Sequence, residues 1–84
     1  MVLTGKTQVE KADATLDIAK SEKPVKLIDK EFGLDIDGII HNIIVGPNGY
    51  EYVFEVLEDH REDGFEKGQT IFFEFDGLDE VQLL

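Results

Sequence analysis

The sequence predicts an α+β domain, with one or two short N-terminal helices packed on a four-stranded antiparallel sheet or a small, partly open barrel. Three observations predict it. Val9, Ala12, Leu16 and Ala19 recur at the spacing of one helix face. From residue 39 onward, apolar residues alternate with polar ones or run in short β-branched blocks. Dense turn signals separate those blocks, the strongest being Gly46-Pro47-Asn48-Gly49. The 84 residues suit a single domain, divided into a helical N-terminal segment (1–34) and an antiparallel sheet (36–84).

Met1 to Gly5 is a short apolar lead-in. Thr7 and Glu10 have the spacing of a capping box, in which each side chain satisfies the other's free backbone N–H. The pattern behind them predicts a helix over 8–20. A strand over Ala14–Ala19 competes, because Leu16 and Ile18 also alternate with Thr15 and Asp17. Ser21 to Lys23 is a break. Pro24 suits the first turn of a second helix, where its missing N–H costs nothing. Val25, Ile28 and Phe32 form a stripe, and Gly33 stands where a left-handed cap would end a helix over 24–32. An edge strand over Val25–Ile28 is the alternative.

Ile39 to Val45 and Tyr50 to Leu57 read as a hairpin about the Asn-Gly turn. Thr70 to Phe75 is a third strand, and after Gly77 the residues Val81 and Leu83 align a fourth. In the hairpin, odd positions of the first strand oppose even positions of the second. Ile39, His41, Ile43 and Val45 are therefore expected on the core face with Tyr50, Tyr52, Phe54 and Val56. The reverse face would carry Ile40, Ile44, Val53 and Phe72 among Glu51, Glu55 and Glu74. A strand apolar on both faces is normally covered on both. That requirement points to the N-terminal segment or to a partner.

Charge is the strongest functional signal. Residues 1–30 carry six Lys against five Asp or Glu, whereas residues 31–84 carry fourteen Asp or Glu against Arg61 and Lys67. The formal charge of −11 thus divides into +1 and −12. Carboxylates in excess repel phosphate backbones and anionic lipid heads, so neither direct nucleic-acid binding nor membrane binding is expected. They attract basic protein surfaces and speed association with them. No cysteine is present, which removes disulfides, thiolate metal sites and thiol nucleophiles. The expected compartment is the cytoplasm, because no secretory leader or membrane span is visible.

Catalytic constellations are poorly supplied. Ser21 is the single serine and lies in a Lys-rich break. His41, on the expected core face, reads as a packed histidine, and His60 falls in a loop. The Glu58-Asp59-His60-Arg61-Glu62-Asp63 run lacks the spacing of a calcium loop, and Asp35-Ile36-Asp37-Gly38 has only a fragment of it. Both read as solvated segments, so no metal, cofactor or catalytic residue is expected. The aromatics would need flanking cations to stack on single-stranded nucleic acid, and their neighbours are Glu51, Glu55 and Glu74.

Residues 65–75 followed by Val81-Gln82-Leu83-Leu84 resemble the last two strands of cold-shock-type OB barrels. The resemblance implies a barrel-like shape, without that family's basic and aromatic binding strands. In size, acidity and expected architecture the chain also resembles phage inhibitors of uracil-DNA glycosylase and other DNA-mimicking proteins. The expected function is therefore non-enzymatic binding of a basic protein, with a DNA-mimicking inhibitor of a nucleic-acid-binding protein as its extreme form. The candidate binding residues are Glu51, Glu55, Glu74, Glu58, Asp59, Glu62, Asp63 and Phe72. The alternative is a structural or oligomeric module built on an OB- or SH3-like small barrel.

Overall fold

One helix and five strands make up the computed structural model, which describes residues 1–84: α1 (Gln8–Ser21), β1 (Pro24–Asp29), β2 (Leu34–Gly46), β3 (Gly49–Val56), β4 (Thr70–Glu74) and β5 (Glu80–Leu83). A 3₁₀ turn at Arg61–Asp63 interrupts the β3–β4 connection. The strands form one antiparallel sheet in the order β4-β3-β2-β1-β5.

The capping box forms. Thr7 N–H donates to Glu10 Oε1 at 2.9 Å, and Glu10 N–H donates to Thr7 Oγ1 at 3.2 Å. The bond from the Thr7 backbone N–H, helped by the Thr7 side chain, holds the Glu10 carboxyl below its ordinary pKa by favouring the charged form. At the other end Glu22 adopts left-handed backbone, φ 52°, and stops the helix without a glycine. The buried stripe is Lys11, Thr15 and Ala19, while Val9 and Leu16 remain exposed. The face is turned from the one the apolar spacing indicated because its two polar members find partners. Lys11 Nζ donates to the Phe75 carbonyl at 2.8 Å. The Tyr52 hydroxyl donates to Thr15 Oγ1, which itself donates to the Lys11 carbonyl at 2.8 Å. This chain ties the helix to β3 and to the end of β4. Burial raises the Tyr52 hydroxyl to about 12.

The second helix does not exist; its residues are β1, which makes five strands rather than four. The inward residues are Val25, Leu27 and Asp29, at period 2. Of the stripe that suggested a helix, only Val25 is fully buried, and Phe32 is 72% exposed. Gly33 does adopt φ 65°, but in the β1–β2 turn rather than at a helix end. Pro24 is tolerated because it is the first residue of its strand.

The β2–β3 hairpin forms about Pro47-Asn48, with Gly46 opposite Gly49. Register runs Val45↔Tyr50 and Ile43↔Tyr52, and then shifts between Ile40 and Asn42. A β-bulge inserts His41 there, and parity reverses beyond it. Ile36, Gly38 and Ile40 therefore face the core, and Ile39 joins the outer face. His41, expected as a packed core residue, is exposed at the bulge. Gly38 is required by close approach: a Cβ there would lie 2.2 Å from the Glu55 carbonyl and 2.5 Å from the Phe54 ring.

β5 does not turn back on β4. It crosses to β1, pairing Val81 with Leu27 and Lys26 with Gln82. β4 and β5 are thus opposite edges of the sheet, about 19 Å apart if it were flat. Only Phe75–Asp79 joins them, and that segment is folded by a bond from Leu78 N–H to the Phe75 carbonyl. The sheet must curl to bring its edges within reach, and the bulge in β2 supplies the bend. Inside the curl lie Leu3, Val25, Leu27, Ile36, Ile40, Tyr52, Phe54, Val56, Phe73, Phe75, Leu78 and Val81. Each fully buried large side chain contributes roughly 1.5–3 kcal/mol relative to exposure. No helix is long and apolar enough to cross a membrane.

Candidate functional site

The outer face of β2, β3 and β4 brings together four of the eight expected binding residues, Glu51, Glu55, Phe72 and Glu74. Alternation sends Glu51, Val53 and Glu55 of β3 outward, because Tyr52, Phe54 and Val56 take the core. On β4 the same rule sends Thr70, Phe72 and Glu74 outward. Register then aligns Glu51 with Glu74, Val53 with Phe72, and Glu55 with Thr70. From β2 come Ile44 opposite Glu51, Asn42 opposite Val53, and Ile39 opposite Glu55. Phe72 is 62% exposed beside half-buried Val53. Ile40, expected on this face, lies in the core, and Ile39 replaces it because of the bulge.

Electrostatics divide the face. Toward β1, Lys26 Nζ sits 3.3 Å from Asp35 Oδ1 and 3.7 Å from Asp37 Oδ1. The two carboxylates raise the Lys26 pKa by stabilising its charge. At Glu55 the partner is a histidine: His41 Nε2 lies 2.8 Å from Glu55 Oε1, and His41 Nδ1 lies 3.7 Å from Glu22 Oε1. The bond to Glu55 is the main reason that the His41 pKa rises above 6.5. Glu51 and Glu74 have no cationic partner. Glu51 lies over Gly46, where any Cβ would collide with its carboxylate. Glu74 accepts only a long bond, 3.4 Å, from Asn48 Nδ2. Two like charges thus occupy register-paired positions on β3 and β4, an arrangement that weakens a sheet, and the Glu51 carboxylate turns away from Glu74 toward β2.

The remaining expected residues form a separate cluster. Glu58, Asp59, Glu62 and Asp63 are exposed on the β3–β4 connection, beyond the Glu55–Thr70 end of the strands. Asp59 accepts Lys67 N–H at 2.9 Å and lies 3.8 Å from Arg61 Nη2. His60 is held by reciprocal backbone bonds with Phe65. No three His, Asp or Glu side chains converge in the manner of a metal site.

A groove of about 470 Å³ went unforeseen in the sequence. It lies between β4 and the β1–β2 turn, where the curled sheet does not close. Phe32, Leu34, Phe65, Ile71 and Phe73 line it, with Asp29, Glu31, Glu74 and Asp76. Reading 24–32 as a helix, with Phe32 in its apolar stripe and Leu34 beyond its Gly33 cap, concealed it. Recognition of Val25-Leu27-Asp29 as an alternating strand would have put both residues at the rim. Comparisons with family models, curated proteins and solved structures return no match, so the functional reading stands on this chain's own residues.

Proposed function

We propose that the chain is a non-enzymatic binding protein that engages a basic protein surface through the outer face of β3 and β4. Glu51, Glu55 and Glu74 supply the charge, Phe72 and Val53 supply the apolar contact, and the 58–63 carboxylates steer the approach. The observation that carries this reading is the Glu51–Glu74 pair. It sets two carboxylates without a cation at paired positions of neighbouring strands, beside an exposed phenylalanine. Cationic side chains docked on this face would supply the attraction that the two carboxylates lack within the chain. A surface that joins charge to an aromatic anchor has the makings of a binding hot spot. A nucleic-acid-binding protein is the partner whose own surface best fits such a description, and a DNA-mimicking inhibitor is the fullest form of the reading.

Substituting Lys at Glu51, Glu55 and Glu74 tests it. Association with the partner should slow, and its dependence on salt should shrink. Affinity indifferent both to salt and to the three substitutions would refute the electrostatic reading. Phe72 also favours a second reading, in which Phe72, Val53 and Ile44 form a self-assembly surface. Sedimentation over a range of concentrations separates the two, because a strict monomer leaves self-assembly without support.

A further inference from the structure

The two edges of the sheet are treated differently. β5 is covered over its first half: Met1–Leu3 runs beside Asp79–Val81, with Val81 N–H donating to the Met1 carbonyl at 3.0 Å and Leu3 N–H to the Asp79 carbonyl at 2.7 Å. β4 is left open, with β3 as its only neighbour. Phe75 N–H donates to the Tyr50 carbonyl, and Val56 N–H to the Gln69 carbonyl. Odd positions of this stretch therefore bond toward β3. In an antiparallel ladder the even positions then point away, so the backbone groups of Thr70, Phe72 and Glu74 face outward. An edge of this kind is a template for another strand. No proline, lysine or bulge falls on Thr70–Glu74, and Glu74 at its end is the one charged side chain.

The groove lies along that same edge. Its floor is apolar, from Ile71, Phe73, Leu34 and Phe65, and its rim is acidic, from Glu31, Glu74 and Asp76. Its size, about 470 Å³, suits a few side chains rather than a folded domain.

We propose that β4 accepts an extended segment of the partner as a sixth strand, with alternate apolar side chains entering the groove and basic ones meeting the acidic outer face. The proposal rests on the reading of the partner as basic and names how it is held. Main-chain bonds to Thr70, Phe72 and Glu74 supply affinity, and the side-chain alternation supplies selectivity. Charge argues against a second copy as the occupant. Two chains of formal charge −11 would bring their acidic faces together along paired β4 edges.

The test uses a blocked peptide of alternating lysine and valine, a glutamate–valine counterpart, and two lysine–valine peptides N-methylated at alternate residues, each blanking one peptide edge. Amide hydrogen exchange is read on the full chain at low salt. The lysine–valine peptide should slow exchange at Phe72 and Glu74 by about tenfold or more. One methylated form should keep that effect and the other lose it, and the glutamate–valine peptide should have none. If the lysine–valine peptide binds in a salt-sensitive way but both methylated forms bind equally and the two amides are unaffected, strand addition is wrong while the basic-partner reading stands. If it does not bind, or the glutamate–valine peptide binds as well, both fall. Protection of Phe72 and Glu74 that appears without peptide and grows with protein concentration would assign the edge to a second copy and overturn the proposal.

Discussion

Thr15 and Tyr52 decide how the helix sits. A threonine inside an apolar stripe is costly unless its hydroxyl is paired, and here it accepts from Tyr52 and donates to Lys11. Thr15→Val leaves the buried Tyr52 hydroxyl without an acceptor and should cost about 1–3 kcal/mol. Tyr52→Phe keeps the Thr15–Lys11 bond and should cost about 0.5–1.5 kcal/mol. Thermal melts of both variants check the order, at about 4–8 °C per kcal/mol for a chain of this size. His41 gives a second prediction at this scale. Its folded pKa is raised, chiefly by Glu55. Its contribution to stability is therefore full below about pH 6.5, the unfolded value, and is lost as pH rises through the higher folded value. Glu55, Glu22 and Lys20 are the charged groups around it. Wild type and His41→Gln should differ in melting temperature at pH 5.5 and converge at high alkaline pH. A difference that grows with pH would contradict the pairing. The histidine's place was hidden from the sequence because a bulge inserts one residue without any fixed composition. Alternation alone, continued through Ile39-Ile40-His41, puts it inside.

At the scale of elements, legibility followed the strength of local signals. The capping box and the Pro-Asn turn are encoded by neighbouring residues, and the helix and the hairpin formed where those residues indicated. β1 was not legible as a strand in the same way. Six residues, Pro24–Asp29, carry both a proline suited to a helix start and an apolar spacing of three to four. The contacts that decide in favour of a strand lie at Ile36 and Val81, far along the chain. The outer face was legible for β3 and β4, whose alternation is regular, and failed at Ile40, beyond the bulge. The β5 crossover depends on curl, which no single segment records. Two element-scale predictions follow from register. Gly38→Ala must displace the Phe54 ring or the Glu55 carbonyl and should destabilise by about 1–3 kcal/mol, read by denaturant midpoint with an unchanged slope. Glu51→Lys replaces a like-charge cross-strand pair by an opposite one. It should stabilise the free protein by about 0.2–1 kcal/mol while weakening its attachment to a basic partner. Such opposed effects are the usual mark of a surface kept for function rather than stability.

For the whole molecule, the charge of −11 becomes informative once it is placed. Lys26 answers Asp35 and Asp37, and His41 answers Glu55, but nothing answers Glu51 and Glu74. Glu51 and Glu74 thus remain uncompensated on β3 and β4, next to Phe72 and the sheet edge that β4 leaves open. The N-terminal residues cover the first half of β5, the helix covers β2 and β3 from within the curl, and the acidic outer face is left to solvent. The most direct test is capture of partners from a lysate of the native host, at low salt and again at ~1 M, where the Debye length falls to ~3 Å. Wild type should be compared there with the chain carrying Lys at Glu51, Glu55 and Glu74. The account predicts that wild type retains a basic protein at low salt, releases it at high salt, and that the triple variant retains none of it. Retention of the same protein by both chains at both salt concentrations would contradict it.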